Sequence, residues 1–295
     1  MITLGLSTCK AQAKHSVAGQ SPLDSERESL SLVTSSSLTV HFYSGQLAYL
    51  RAAGFDVTVI SPPGEELDRI TAAEGARKAV IAMAREIEPL KDIVSLWRLW
   101  RCLQKNRPAI INFSNPKGGL LGALAAVAAG VPCRIYTLRG LRLETTTGLK
   151  RWILSAAERL TCRCAHRVIC NSESVRRKAV ELGLVPVEKT CLLGPSGSRG
   201  IDESRFAPTM DRVSRGAELR EALKIPAGAP VVGYAGRFIR DKGVTELIDA
   251  YVELRSEFPE LRLLMLGRPE AADALPENTL KYIKSDPYVI CPGFV

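Results

Sequence analysis

Residues 233–243, GYAGRFIRDKG, hold the residue types best suited to chemistry in this sequence. An apolar, β-branched run ends at Gly236, a helical pattern starts near Gly243, and Arg237 and Lys242 stand in the turn between them. Glycine lets a backbone approach a ligand closely. A helix N-terminus offers unpaired N–H groups and the positive end of its dipole, and two cations can neutralise a diphosphate. The combination reads as a phosphate site, although an ordinary strand-to-helix turn with solvated charges would use the same residues.

Weaker candidates come earlier in the chain. Ser35, Ser36 and Ser37 follow a short apolar strand and form either a loop that closes over a ligand or a structural turn. Pro116, Lys117, Gly118 and Gly119 open a helix whose N–H groups could take an anion or hydroxyls of a ligand, or simply start the helix. Arg139, Arg142 and Glu144 sit after another strand. They could hold phosphate and hydroxyl groups of a ligand, or pair with one another, which is worth little at a surface. Ser196, Gly197 and Gly200 mark a sharp bend that by itself explains the glycines.

The elements that must position these residues alternate. Strands are expected over residues 30–34, 56–60, 79–82, 110–113, 133–138, 167–170 and 190–193, with helices over 45–53, 90–105, 118–129, 149–165 and 173–182. Such alternation means a parallel sheet covered on both faces, with ligands outside the carboxyl ends of the strands. In the helix over 90–105, Ile93, Leu96, Trp97, Trp100 and Leu103 share one face, in the first place a core face. Residues 206–229 hold Pro208, Pro226 and Gly228 among charges of both signs and read as a linker. A second α/β unit starts at 230, with strands over 231–235, 261–266 and 288–290 and a helix over 244–258. Residues 1–28 lack a clean period and are expected to be a disordered extension.

The chain has 295 residues, 46% hydrophobic and 24% charged, with a net charge of +9. From Arg134 to Lys178, 11 Lys or Arg stand against Glu144, Glu158 and Glu173. A block of this kind attracts polyanions and, with the Trp97 and Trp100 helix, points to peripheral contact with an anionic membrane face. No recognisable nucleic-acid module or interleaving of aromatics accompanies it, so nucleic acid is not an expected partner. Of eight cysteines, Cys162, Cys164 and Cys170 lie near His166, but they run off a helix into a strand and should point apart. A metal site is not expected, and reduced thiols are. No signal peptide is visible, and the longest apolar stretch, 118–131, is shorter than the roughly 20 residues that span a bilayer. A cytoplasmic protein is expected.

Several segments together resemble the family 4 glycosyltransferases, in particular their capsule and exopolysaccharide branch. GRFIRDKGVTELIDAY, from Gly236, resembles the opening of that family's C-terminal domain, and LRLLMLG, ending at Gly267, its next strand. NPKGGLLGALAAVAAGVP (115–132), YTLRGLRLET (136–145) and CLLGPSGSRGIDESRF (191–206) resemble successive N-terminal motifs. LVTSSSLTVHF (32–42) and SPPGEEL (61–67) complete a likeness over about residues 29–295. The resemblance implies a GT-B fold, two Rossmann-like α/β domains facing a cleft. It implies an acceptor-side domain over 29–205, a linker over 206–229, and the start of a nucleotide-sugar-binding domain over 230–295.

It also implies transfer of a hexose, with retention, from a nucleotide diphosphate sugar to a saccharide or polyprenyl-linked acceptor. Arg237, Lys242 and Gly236 would hold the donor diphosphate without a metal or other cofactor. Ser36, Ser37, Pro116, Lys117, Gly118, Arg139, Arg142, Glu144, Ser196, Gly197 and Gly200 would line the acceptor side. The chain departs from the pattern where many members carry a histidine, at IINFSNP (110–116) and at Arg139. The family's paired-glutamate motif, which holds donor sugar and ribose, is expected after Val295. The second domain is therefore expected to be incomplete, and no catalytic residue is nominated. The alternatives are a truncated, non-catalytic remnant and a nucleotide-sugar epimerase of the same fold.

Overall fold

The computed structural model of the chain describes residues 27–84, 88–194, 197, 203–270 and 274–293. It divides into two compact units, Met1–Ile201 and Asp202–Val295. In the first unit the described residues form a sheet of seven parallel strands. These are β1 (Glu28–Val33), β2 (Phe55–Ser61), β3 (Arg77–Val80), β4 (Ile110–Ser114), β5 (Cys133–Leu138), β6 (Arg167–Cys170) and β7 (Thr190–Leu192). Their order is β3-β2-β1-β4-β5-β6-β7, so the winding reverses between β1 and β4.

Period-two side-chain alternation builds a core on each face. Leu30 and Leu32 of β1 and Val57 and Val59 of β2 pack with Leu47 of α1 (Gln46–Ala52) and Leu67 and Ile70 of α2 (Glu65–Glu74). Val33 and Ile60 face the opposite way. They join a cluster with Leu99 and Leu103 of α3 (Pro89–Asn106), Leu121 of α4 (Pro116–Ala128), Cys162 of α5 (Gly148–Cys164) and Ala179 of α6 (Glu173–Glu181). Helix α4 is made of small and apolar residues nearly all round, because α3 and α5 flank it and the sheet lies beneath it.

Two expectations need correction. The buried face of α3 is Ser95, Leu99 and Leu103, while Ile93, Trp97 and Trp100 are exposed. The helix is turned so that Ser95 donates to the Ala82 carbonyl, and Trp97 lies under the Arg101 guanidinium at 4.9 Å. The segment read as a linker holds a helix, α7 (Met210–Ala222), whose N-cap Thr209 accepts a hydrogen bond from the Arg212 amide.

In the second unit β8 (Val231–Ala235), β9 (Arg262–Leu266) and β10 (Val289–Gly293) are parallel in the order β10-β9-β8. Helices α8 (Val244–Glu257) and α9 (Glu277–Ser285) make the crossovers. Its own core contains Val244, Ile248, Tyr251, Leu263, Met265 and Ile283. Among the described residues no helix is long and apolar enough to cross a membrane.

Candidate functional site

In the first unit Ser35, Ser36, Ser37 and the first turn of α4 gather where the winding reverses, the place at which open α/β sheets bind ligands. Asn115, between β4 and α4, takes a positive φ of 68°. Its side-chain amide donates to the hydroxyls of Thr34 at 2.8 Å and Thr39 at 3.1 Å, and those two hydroxyls bond to each other. Thr39 in turn donates to the Ser36 carbonyl at 2.7 Å. The loop after β1, with Ser35, Ser36 and Ser37, is thereby latched to the turn after β4. Gly118 fits because a Cβ there would stand 2.8 Å from the Ser35 amide nitrogen. Ser37 lies against Gly64 after β2, where any Cβ would overlap the serine hydroxyl.

The charges are arranged by partners that sequence reasoning missed. Lys117 pairs with Asp92 of α3 at 2.7 Å, both side chains nearly buried. Arg139, after β5, stacks its guanidinium over Phe42 at 4.8 Å and reaches Tyr43 at 5.6 Å, which brings it to the Ser37–Tyr43 3-10 helix. Tyr43 and Ser114 share a buried hydroxyl bond of 2.9 Å. Arg142 and Glu144 sit on the exposed 3-10 turn Arg142–Thr145, anchored by buried Leu143, and form no ion pair with each other. The Gly197 amide donates to the Asn171 carbonyl beyond β6 at 2.6 Å. Ser196 and Gly200 lie outside the described residues.

Beneath these loops the Tyr136 hydroxyl donates to Glu158 of α5 at 2.6 Å. Burial pushes the Glu158 carboxyl up to about 7, against the lowering effect of the tyrosine bond, and holds the Tyr136 phenol well above its ordinary range. Cys170 is raised to about 11, chiefly by burial. Cys162, Cys164 and Cys170 are free thiols spread from the end of α5 to the end of β6.

In the second unit the Gly236 amide donates to the Leu266 carbonyl at 2.9 Å. Gly267, at φ 140°, lies so close that a Cβ would overlap the Gly236 carbonyl oxygen. The turns after β8 and β9 therefore meet backbone to backbone. Arg237 ion-pairs with Glu270 at 3.0 Å, and Tyr234 donates to the Arg237 carbonyl at 2.8 Å. Lys242 is exposed at the end of a short 3-10 turn, and Gly243, at φ 68°, turns the chain into α8. A glycine-rich turn, an exposed ammonium and a helix N-terminus thus share the carboxyl edge of this sheet, as an anion site requires.

The model of the glycosyl transferase 4-like domain matches residues 42–195. The capsular polysaccharide biosynthesis glycosyltransferase CapM of Staphylococcus aureus is 32% identical over 254 residues, 86% of this chain and 65% of that protein. An Escherichia coli UDP-Gal:α-D-GlcNAc-diphosphoundecaprenol α-1,3-galactosyltransferase is 27% identical over 207 residues, 69% of this chain and 50% of that protein. The chain therefore spans less than two thirds of the curated relatives it matches. Among solved structures, Anabaena HepE in complex with UDP and glucose superposes with a TM-score of 0.67 at 18% identity, covering 91% of this chain and 70% of that one.

Proposed function

The chain belongs to the glycosyl transferase 4-like family, and on that premise we propose that it transfers a hexose from a nucleotide diphosphate sugar to a saccharide or polyprenyl-linked acceptor in surface polysaccharide synthesis, with retention at the anomeric carbon. The observation that carries this reading is the turn after β8, with Arg237, exposed Lys242 and the N-terminus of α8 on one edge. As the bond from the anomeric carbon to the phosphate breaks, negative charge grows on the diphosphate, and fixed cations and N–H groups stabilise it. The acceptor hydroxyl attacks from the face the phosphate leaves, and its proton passes to the departing diphosphate oxygen. Side-chain cations take the neutralising role, so the proposal includes no metal. On the acceptor side stand Ser36 and Ser37, the first turn of α4 at Pro116, Lys117 and Gly118, and Arg139.

Both curated relatives named above carry transferase names, which favours transfer over epimerisation. Peripheral contact with an anionic membrane is part of the proposal, supported by exposed Ile93 and Trp97 of α3 and Leu149 and Trp152 of α5 among lysines and arginines.

The test is calorimetric binding of UDP and GDP to the purified chain, followed by mass-spectrometric transfer assays with the matching sugar nucleotides and a membrane lipid extract. Wild type should bind one nucleotide, and Lys242→Ala should weaken it about tenfold, the loss expected for one charge-assisted phosphate contact. Turnover of the sugar nucleotide to an epimer without acceptor, or indifference to Lys242→Ala, would overturn the reading.

A further inference from the structure

Beside the acceptor-side loops the first unit holds an open cavity of about 670 Å³, within the usual size of small-molecule pockets. Pro63 after β2, Met83 after β3, and Leu90 and Val94 of α3 give it apolar walls, and Lys91 and Arg98 of the same helix stand at it as cations. Leu90 is 82% exposed and Val94 47%, so this apolar surface is held out of the core. Among the described lining residues the one side-chain hydroxyl, Ser95, is already engaged with the Ala82 and Lys91 carbonyls at 2.8 Å each. For a free sugar the donors are confined to the two cations, and the apolar walls would meet hydroxyls with no partner for them. An apolar chain with an anionic head would find both of its needs met.

The cavity is built into the acceptor side. Gly64, next to Pro63, lies against Ser37, and Asp92, in the helical turn of Lys91 and Val94, holds Lys117 at 2.7 Å. Resting on the transferase reading, we infer that this groove seats the phosphate-bearing end of a polyprenyl acceptor, its chain between Met83 and Val94 and its phosphate facing Lys91 and Arg98. Lys91 already pairs with Glu88 at 2.6 Å in an exposed i,i+3 bridge, which a phosphate can displace at little cost.

The test is a tryptophan-fluorescence titration of the full chain with farnesyl phosphate below its micelle concentration. Trp97 lies one turn beyond Val94 on the same helix. Farnesyl phosphate should bind saturably and at least tenfold more tightly than farnesol or inorganic phosphate. Val94→Glu and Arg98→Glu, both exposed changes, should each weaken it tenfold or more with melting unchanged. Three results would overturn the inference. Inorganic phosphate could bind as tightly as farnesyl phosphate, phosphatidylglycerol vesicles could bind while the monomeric probe does not, or both variants could bind like wild type. Nucleoside diphosphate binding, measured on the same samples, reports on the second unit, so the groove and the transferase reading fail separately.

Discussion

Replacing Glu158 by Gln should remove a pH dependence built into the first unit. Glu158 is buried, receives the Tyr136 hydroxyl at 2.6 Å, and titrates at about 7 rather than 4.5 because burial disfavours the carboxylate. In the unfolded chain it titrates near its ordinary value. Between those two values the folded state keeps a proton that the unfolded state has lost. The contribution is therefore fully present below about pH 4.5, falls as pH rises, and is gone above about pH 7. At about 1.4 kcal/mol per pH unit, that interval amounts to about 3 kcal/mol. Glutamine stays neutral throughout, and its amide oxygen can still accept from Tyr136. Urea unfolding followed by tryptophan fluorescence reads the right unit, since Trp97, Trp100 and Trp152 all lie in Met1–Ile201. From about pH 4.5 to pH 8, wild type should lose about 3 kcal/mol more than the variant. Parallel pH profiles for the two proteins would refute the reasoning, because they would mean that Glu158 meets water in the folded state.

Two further outcomes follow from the same geometry. Gly118→Ala places a methyl group 2.8 Å from the Ser35 amide, a backbone atom that cannot swing away. It should cost about 1–3 kcal/mol in the same urea assay, in the range of overpacked sites, and stability equal to wild type would show that the two turns are not in contact. In vesicle flotation, the chain should rise with phosphatidylglycerol vesicles and much less with neutral ones, and should be released by about 0.5 M salt. Equal flotation on both vesicle types would remove the electrostatic part of the membrane proposal.

The alternation of strands and helices was legible because a doubly covered parallel sheet writes short apolar runs between amphipathic ones, and each expected strand is found close to its place. Helices α2, α7 and α9 were not legible. Residues 65–74 carry Glu65, Glu66 and Asp68 in the first turn, which suit a helix N-terminus, but Leu67 and Ile70 leave only a short apolar stripe. Helix α7 has no buried residue, so no apolar stripe announces it. The face of α3 was misjudged because the tryptophans dominate its apolar pattern, while a buried serine bonded to Ala82 sets its rotation. On the site, residue type and position after a strand were enough to nominate Gly118, Arg139 and Arg237. Their partners were hidden. Asp92 reaches Lys117 from 25 residues away, and Glu270 reaches Arg237 from 33, distances over which a sequence pattern carries no signal.

Those partners divide the nominated cations by what each can do. The Lys117–Asp92 pair is 14% and 18% exposed. Separating a pair so shielded from water costs more than separating an exposed one. On the proposed function a ligand would have to supply that energy before gaining anything from Lys117, so we read the lysine as the anchor of the first turn of α4, with the backbone N–H groups of that turn offered to the acceptor. The Arg237–Glu270 pair is 49% and 24% exposed, the range in which ion pairs contribute about 0–1 kcal/mol. On the proposed function a diphosphate, with more charge than one carboxylate and two phosphoryl groups to share, would take Arg237 from Glu270 at little cost. Without a ligand, the pair holds the guanidinium at the edge of β8. On that reading a lysine acts as an anchor in one unit and an arginine as an exchangeable clamp in the other, and exposure separates the two roles.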